Sequence, residues 1–576
     1  MLCPKKTGVI GIVIKYTHSL MKISLKNFTQ VNTEDRTGRS IKKAVSILIF
    51  MDMEKHTWRG AEFQQARRLD WFIATRTPLG EIPLDHTTLF KFYNHMETSN
   101  AGRKLFEKLA IPFAEACGTS MKKQRTDFFL IHGWLQIMSR YGLFKETLRV
   151  FLQNLRKQKP GLYECISKEL SRDYLEKDFD LTEKDHEKAQ HQVKLMAQDL
   201  YAVYKAFDSH DPVKYYEGFK TLVTVFHQQC EWAENREKTL CEIVIREKPV
   251  VNEIISSPHN TDARYVKKGK QPTCGQKGFL TETCDKDNKT QFITDAEVTP
   301  ATTQDVKELP GIQKWLEEAG MKPEEPYANA GFVNGQTIGD SHNRGISLEG
   351  PSSGLSQSFE KFQAGDRPLD TADFEITSEG VGREVIIRAC PEQHIPAGQS
   401  LRESTGKMLV HFDPAICSAC RVKTLCPVKI GKRVATLTID DASYRGASRH
   451  HQYMENTGYR KQCATRASAE ATVSEMVRSH GVRKSGHRTE NRTRLQLLFA
   501  AIACNVKRFI RHGLLHGYMT SGTVKMTVVS SFSRIKMAFS THLFHFLRLK
   551  CPCLNKDCTI LILHRTKLQN LSILIN

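Results

Sequence analysis

The stretch "YRKQCATRASAEATVSEMVRSHGVRKSGHRTENRTRLQLLFAAIACNVKRFI", residues 459–510, decides how the rest of the chain is read. Its spacing predicts two helices, at about 466–480 and 493–511. In the second, Leu495, Leu498, Phe499, Ile502, Val506 and Phe509 make a continuous apolar stripe. In the first, Ser468 is placed to cap the helix, and Glu470, Val473 and Val477 share a spacing that sets a carboxylate on or beside the apolar side. An ionised carboxylate facing a core is costly unless partnered, and a divalent metal is a good partner. The same position also suits a glutamate stabilised in the first turn by the helix dipole. Glu475, five residues on, points elsewhere. Between the helices runs "VRSHGVRKSGHRTENRTR", densely basic, with Arg478, Arg483, Lys484, Arg488, Arg492 and Arg494 as candidate phosphate contacts.

The whole chain shares that charge. It has 576 residues, a formal net charge of +21 and a pI near 9.3, a balance that attracts polyanions, nucleic acid first among them. At this length two to four structural units are expected, with ample core. Sixteen cysteines scattered over so long a chain read as reduced thiols with one candidate metal cluster, not as a secreted disulfide framework. The first residues have no signal-peptide pattern, and no apolar run approaches the roughly 20 residues that span a bilayer. The expectation is a cytoplasmic, nucleoid-associated protein without a membrane partner.

The chain then divides by pattern. Residues 1–55 show no coherent period and read as a weakly ordered extension. Residues 56–120 are helical: Asp85 can cap a helix in which Leu89, Phe92 and Tyr93 share a face, compatible with a DNA-reading helix-turn-helix or with a small packing domain. Residues 121–141 hold a buried strand, the run Phe128, Phe129, Leu130, Ile131, with Asp127 at its start. Residues 142–250 read as a helical insertion, 251–335 as core strands, 336–440 as a strand-rich insertion with a cysteine cluster, 441–515 as C-terminal helices, and 516–576 as a basic tail without periodicity.

Two further constellations bear chemistry. In "YANAGFVNG" (327–335) Asn329 is held among small residues at a strand end, where α/β sheets place ligands, although a turn Asn before Gly has the same look. In "CSACRVKTLC" (417–426), Cys417 and Cys420 form a C-x2-C knuckle, Cys426 follows, and Cys390 and His394 lie upstream. A fourth thiolate or an imidazole would complete a structural zinc tetrahedron.

Taken in order, these residues resemble the DDE transposases of insertion sequences. The resemblance rests on Tyr459, Arg466, Glu470, His480-Gly481-x-Arg483, and Asn505-x-x-Arg508 at the end of an apolar helix. It extends through "GFLTETCDKDNKTQFITDAEVTPATTQD" (278–305), "YANAGFVNG…GISLEGP" and "QRTDFFLIHGWLQIM" to about residues 60–512. It implies an α/β fold with an RNase H-like catalytic core, a mixed sheet flanked by helices. A helical N-terminal domain, a helical insertion and a β/Cys-rich insertion would decorate it. It also implies catalytic and metal positions at Asp127, Asn329 and Glu470 for two Mg²⁺ or Mn²⁺ ions, and double-stranded DNA, both element ends and target, bound by a homo-oligomer. The family motif has an aspartate where this chain has Asn329. It also has small hydroxyl residues in place of Phe128 and Phe129, and a tyrosine in place of Phe332. The expected function is therefore strand cleavage and transfer at element ends, impaired by the lost carboxylate. The alternative is a catalytically inactive, transposase-derived DNA-binding protein. A zinc-stabilised nucleic-acid scaffold is the reading without the resemblance.

Overall fold

Buried apolar residues on helices and strands fix the architecture, seen in a computed structural model that describes residues 41–75, 77, 81–133, 139–176, 186–234, 241–247, 254–268, 271–352, 368–377 and 385–515. The tail from 516 and the first 40 residues of the expected extension lie outside that range. The described chain forms two compact units, one from 41–96, 108–118 and 502–515, the other from 97–107 and 119–501.

The first unit contains α1 (Ile41–Glu54), α2 (Trp58–Gln65), α3 (Leu69–Thr75) and α4 (His86–Thr98), with the end of α5 (Ala101–Ala116). Helix α1 corrects the expectation of weak order up to residue 55. Val45, Ile47, Leu48, Ile49 and Phe50 are all buried, so the segment is apolar nearly all round and shows no helical stripe to read. The caps are as the sequence suggests: Asp85 accepts from the Thr88 amide at 2.9 Å, and Leu89 and Tyr93 are buried beneath. Between α2 and α4, the Gln65 side chain holds the Leu84 backbone at both its N–H and its C=O, each at 3.1 Å.

In the second unit, β1 (Lys123–His132) is followed by the helical insertion α6 (Arg140–Gln158), α7 (Pro160–Ser167), α8 (His186–Phe207) and α9 (Glu217–Gln229). Phe144, Phe151, Leu200, Leu222 and Phe226 form a core of its own. The insertion also carries a hairpin, β2 (Cys230–Glu234) with β3 (Cys241–Ile245), which helical periodicity did not announce.

The central sheet adds β4 (Arg264–Lys268), β5 (Gln271–Thr283), β6 (Ile293–Pro300), α10 (Asp305–Glu318) and β7 (Glu325–Tyr327). The long β5 pairs antiparallel with β4 near its start and with β6 and β1 over the rest, while β7 joins β1 in parallel. The sheet is thus mixed. Gly278 in β5 is required by its neighbours: a Cβ there would lie 2.9 Å from Phe129 and 3.0 Å from Ile131.

Beyond β7 the chain is not all strand. Helix α11 (Gly335–Asn343) comes first, with an Asn334 capping box. Next come β8 (Glu375–Thr377) and β9 (Ile386–Ala389), which pair with each other, then β10 (Gly398–Arg402), β11 (Lys407–Phe412), α12 (Pro414–Ala419), β12 (Lys429–Ile430) and β13 (Ala435–Ile439). The last four strands make a separate sheet in the order β10-β11-β13-β12. Four helices close the unit: α13 (Asp441–Glu455), α14 (Thr457–Cys463), α15 (Ala469–His480) and α16 (Glu490–Leu515), the last running on into the first unit. No helix among the described residues is long and apolar enough to cross a membrane.

Candidate active site

Asp127 lies inside β1, 9 % exposed. The parallel register sets Arg125 beside Tyr327, and two residues further along each segment Asp127 comes beside Asn329. The side chains meet: Asn329 Nδ2 donates to Asp127 Oδ1 at 3.1 Å across a separation of 202 residues. The amide's other end accepts from the Gly331 N–H at 2.8 Å. That pair of bonds fixes the amide orientation, since a flip would put its oxygen against a carboxylate and its NH₂ against an N–H.

The third expected acid arrives from α15, which packs on β1 through a buried network. Arg125 pairs with Glu282 at 2.6 Å and donates to Thr465 O at 3.1 Å, and Thr472 Oγ1 donates to Glu282 Oε2 at 2.6 Å. Burial pushes the Asp127 carboxyl above its ordinary range. The Phe128 N–H, the Arg466 charge and the Asn329 amide oppose that rise, while the Glu470 charge adds to it. Asp127, Asn329, Arg466 and Glu470 therefore form one electrostatic group.

Two local expectations for α15 fail. Glu470 is exposed, and the helix buries Ala469, Thr472, Met476 and His480 instead. Ser468 makes no capping hydrogen bond, because residues Ala464–Ser468 form a 3-10 turn that runs straight into the helix. Glu470 thus projects from the first turn without entering the core. The helix ends at Gly481, whose φ of 69° is the left-handed conformation a glycine adopts freely.

Of the sequence departures, Asn329 is the one that hydrogen-bonds to Asp127. Phe128 stands opposite Phe279 in the β1–β5 register, on the strand face that alternation turns away from Asp127. Its ring centroid is 6.3 Å from Phe279 and 6.4 Å from Phe332, and Lys277 Nζ sits 4.5 Å above it. Phe332 is fully buried in that cluster. Phe129 is buried on the opposite face, against Gly278.

The acids weighed as substitutes are engaged elsewhere. Asp295 is buried and paired with Arg103 at 2.7 Å, and Asp340 accepts from Gln336 on α11 at 2.9 Å. Sequence reasoning missed Asp305, at the start of α10, whose carboxylate borders the space beside Gly331 and Asn329 but is held by Lys277 at 2.8 Å. It also missed Glu349, which fixes the motif tyrosine: Tyr459 donates to Glu349 Oε2 at 2.6 Å, accepts from the Gly350 N–H at 3.2 Å, and is joined there by Arg449, 3.3 Å from Glu349. An acid between the glycine turns of "GISLEGP" was the available signal.

The basic segment docks on the end of β1. His132 N donates to Arg483 O and Ser485 N to His132 O, each at 2.8 Å. Arg478, Arg483, Lys484 and Arg488 are exposed. Arg492 and Arg494 are instead engaged within the fold, Arg492 with Glu97 at 2.9 Å and Arg494 with Glu297 and Glu490. Their spacing matched their neighbours', but α16 turns both toward acids.

Cys390, Cys417, Cys420 and Cys426 line one cavity together with His394. Among the described residues, the group that brings three potential ligand atoms within 4.8 Å of one another is a different one, Asp370, Asp373 and His451. There Asp370 and Asp373 form a reciprocal cap on a single 3-10 turn, and His451 Nε2 lies 3.0 Å from Asp370.

No curated protein and no solved structure matches the chain. A family model described as Transposase DDE domain matches residues 389–510. That span takes in the four cysteines, Tyr459, Arg466, Glu470 and the basic segment. It leaves Asp127 and Asn329 to the geometry above. Residues 389–510 are thus similar to the transposase DDE domain, a match that supports an insertion-sequence DDE transposase.

Proposed function

We propose that this chain is the DNA-cleaving and strand-joining enzyme of an insertion sequence, in a copy whose chemistry is impaired at Asn329. The observation that carries the proposal is the Asn329 Nδ2 to Asp127 Oδ1 hydrogen bond. The family implies a divalent-cation cofactor, and in a DDE site three carboxylates would hold two such ions against the scissile phosphodiester. This donor set does not fit that arrangement. The amide presents a donor to the neighbouring carboxylate where an aspartate would present oxygen, and it removes one negative charge from ligands that must be hard and anionic.

An RNase H-like core is the architecture we assign to the central sheet. Support comes from β1 lying between an antiparallel β5 and a parallel β7, with the helix that bears Glu470 packed on β1. Asp127, Asn329 and Glu470 are the proposed catalytic positions. Arg478, Arg483, Lys484 and Arg488 are proposed to contact duplex phosphates, so binding should weaken steeply with salt. The active form is proposed to be a homo-oligomer joining two element ends.

The test is cleavage of duplex DNA carrying the sequences that flank the reading frame, in Mg²⁺ or Mn²⁺, by the native chain, Asn329→Asp and Asn329→Asp/Glu470→Gln. Strong cleavage by the single variant alone is expected. Native cleavage equal to that of Asn329→Asp would overturn the impairment. Salt-dependent DNA binding with no cleavage by any of the three would favour a DNA-binding remnant.

A further inference from the structure

The small lobe built on β10-β11-β13-β12 has its own apolar core, which includes Ile387, Met408, Val410, Phe412, Leu437 and Ile439, with Cys390, Cys417 and Cys426 packed against it. We propose that Cys390, Cys417, Cys420 and Cys426 bind one structural Zn²⁺ ion in an all-thiolate site that holds this lobe together. The proposal is independent of the strand-cleavage reading.

Three observations converge. All four cysteines line a single cavity of about 70 Å³, and Cys417 lies within electrostatic range of the other three. The two ligand-bearing turns are already shaped. Asp413 caps α12 by accepting from the Ala415 N–H at 2.7 Å, and the Cys420 N–H donates to Cys417 O at 3.3 Å, setting two thiols three residues apart on a tight knuckle. At the other turn, the Gln393 N–H donates to Cys390 O at 2.8 Å and the Cys390 N–H to His394 O at 2.9 Å. There the His394 N–H also donates to Cys390 Sγ at 3.3 Å. A backbone N–H aimed at a ligand sulfur is the kind of outer-shell contact that orients a metal-bound cysteine. Finally, no described cysteine is in a disulfide, so these thiols are available as ligands.

The chemistry of the set selects the ion. Four thiolates in a tetrahedron suit Zn²⁺, and the C-x2-C pair has the spacing such sites use. The thiols do not stand in that tetrahedron in the structure, where no three cysteine sulfurs are within 4.8 Å of one another among the described residues; binding turns the side chains into the cavity. On binding, Zn²⁺ replaces four thiol protons, which leave to solvent, and four Zn–S bonds form with no change in oxidation state. His394 lines the same cavity, but its side chain is exposed, and the contacts with Cys390 come from its backbone.

The test uses the full chain purified under reducing conditions, with metal content measured and Zn²⁺ exchanged for Co²⁺. One zinc per chain is expected. The Co²⁺ form should show sulfur-to-metal charge transfer in the near ultraviolet and the strong visible bands of tetrahedral cobalt. A mercurial titration of the native chain should release the zinc as four thiols react, an outcome that needs no variant to fold. Cys417→Ser and Cys426→Ser should each reduce bound zinc at least tenfold, while His394→Ala keeps stoichiometry and spectrum. Less than about a tenth of an ion per chain, release uncoupled from thiol titration, or an iron–sulfur chromophore in the purified chain would overturn the proposal. A cobalt spectrum altered by His394→Ala would overturn the all-thiolate assignment.

Discussion

The acid group on β1 and the cysteine lobe are opposite answers to the same electrostatic problem. Carboxylates placed side by side repel and raise one another's affinity for protons unless a cation sits among them. On β1 this chain removes the problem: Asn329 donates to Asp127 at 3.1 Å, so the group is a satisfied hydrogen-bonded pair without an ion. In the lobe four thiols line one cavity. The acid region is therefore proposed to fold well and do little chemistry, and the lobe to need its ion in order to fold.

That contrast predicts the largest effect. Removing zinc with a chelator under reducing conditions should unfold the lobe locally, by on the order of 10 kcal/mol in favourable cases. Amide hydrogen exchange should then accelerate across β10, β11 and β13 and stay unchanged in β1 and β5. Uniform acceleration in both regions would break the comparison, because it would make the lobe an integral part of the central sheet's stability.

The next effect runs the other way. Asn329→Asp should raise divalent-dependent cleavage by roughly 10²–10³-fold, the scale of restoring one preorganised electrostatic group to a catalytic site. It should also lower stability in the absence of metal, since a donor to Asp127 becomes a second acid. A melting series with and without Mg²⁺ reads both sides. A variant equally stable in the two conditions, with no gain in cleavage, would mean that Asn329 is not a ligand position.

A third prediction separates either site from ordinary burial. Asp295 is fully buried beside Arg103, and burial pushes its carboxyl up to about 6. A folded-state value above the unfolded one means that the native chain holds the extra proton. Stability is then lost as pH rises from about 4 to about 6 and is flat above. Asp295→Asn abolishes that step, so its stability relative to the native chain should improve by on the order of 3 kcal/mol between pH 4 and pH 7. Denaturant midpoints at the two pH values check it. A difference independent of pH would mean that Arg103 keeps Asp295 ionised throughout.

The sequence made the pieces of the acid group visible, but not their geometry. The apolar run after Asp127 marked β1, and the motif around Glu470 identified the helix that packs on it. Local pattern then misplaced Glu470 toward the core and gave Ser468 a cap it does not make, because spacing alone could not show a 3-10 turn entering the helix. The Asp127–Asn329 contact depends on a parallel register formed across 202 residues, which no window of sequence contains. Phe128 and Phe332 looked like damage to the site and are core packing on the other face. Helix α1 escaped because it is buried nearly all round. Helix α13 escaped because its faces are polar and only Gly446 and Ala447 are buried. The ion pairs of Arg492 and Arg494 are tertiary and equally invisible.

The smallest effect concerns the link that holds the Glu470 end of the chain to β7. Tyr327 forms a parallel bridge to Glu349, and Glu349 receives Tyr459 at 2.6 Å and Arg449 at 3.3 Å. Tyr459→Phe leaves Glu349 with its arginine but removes the acceptor of the Gly350 N–H as well as a hydrogen bond to a charged group, so about 1–3 kcal/mol should be lost. Tyr459 touches neither Asp127 nor Asn329 in any described hydrogen bond. In the Asn329→Asp background its removal should therefore lower the melting temperature and leave the cleavage rate nearly unchanged at temperatures where both proteins are folded. A rate that collapses while the fold persists would place Tyr459 in the positioning of Glu470. The acid group would then depend on α14 and α15 being held against β7, as well as on the charge missing at Asn329.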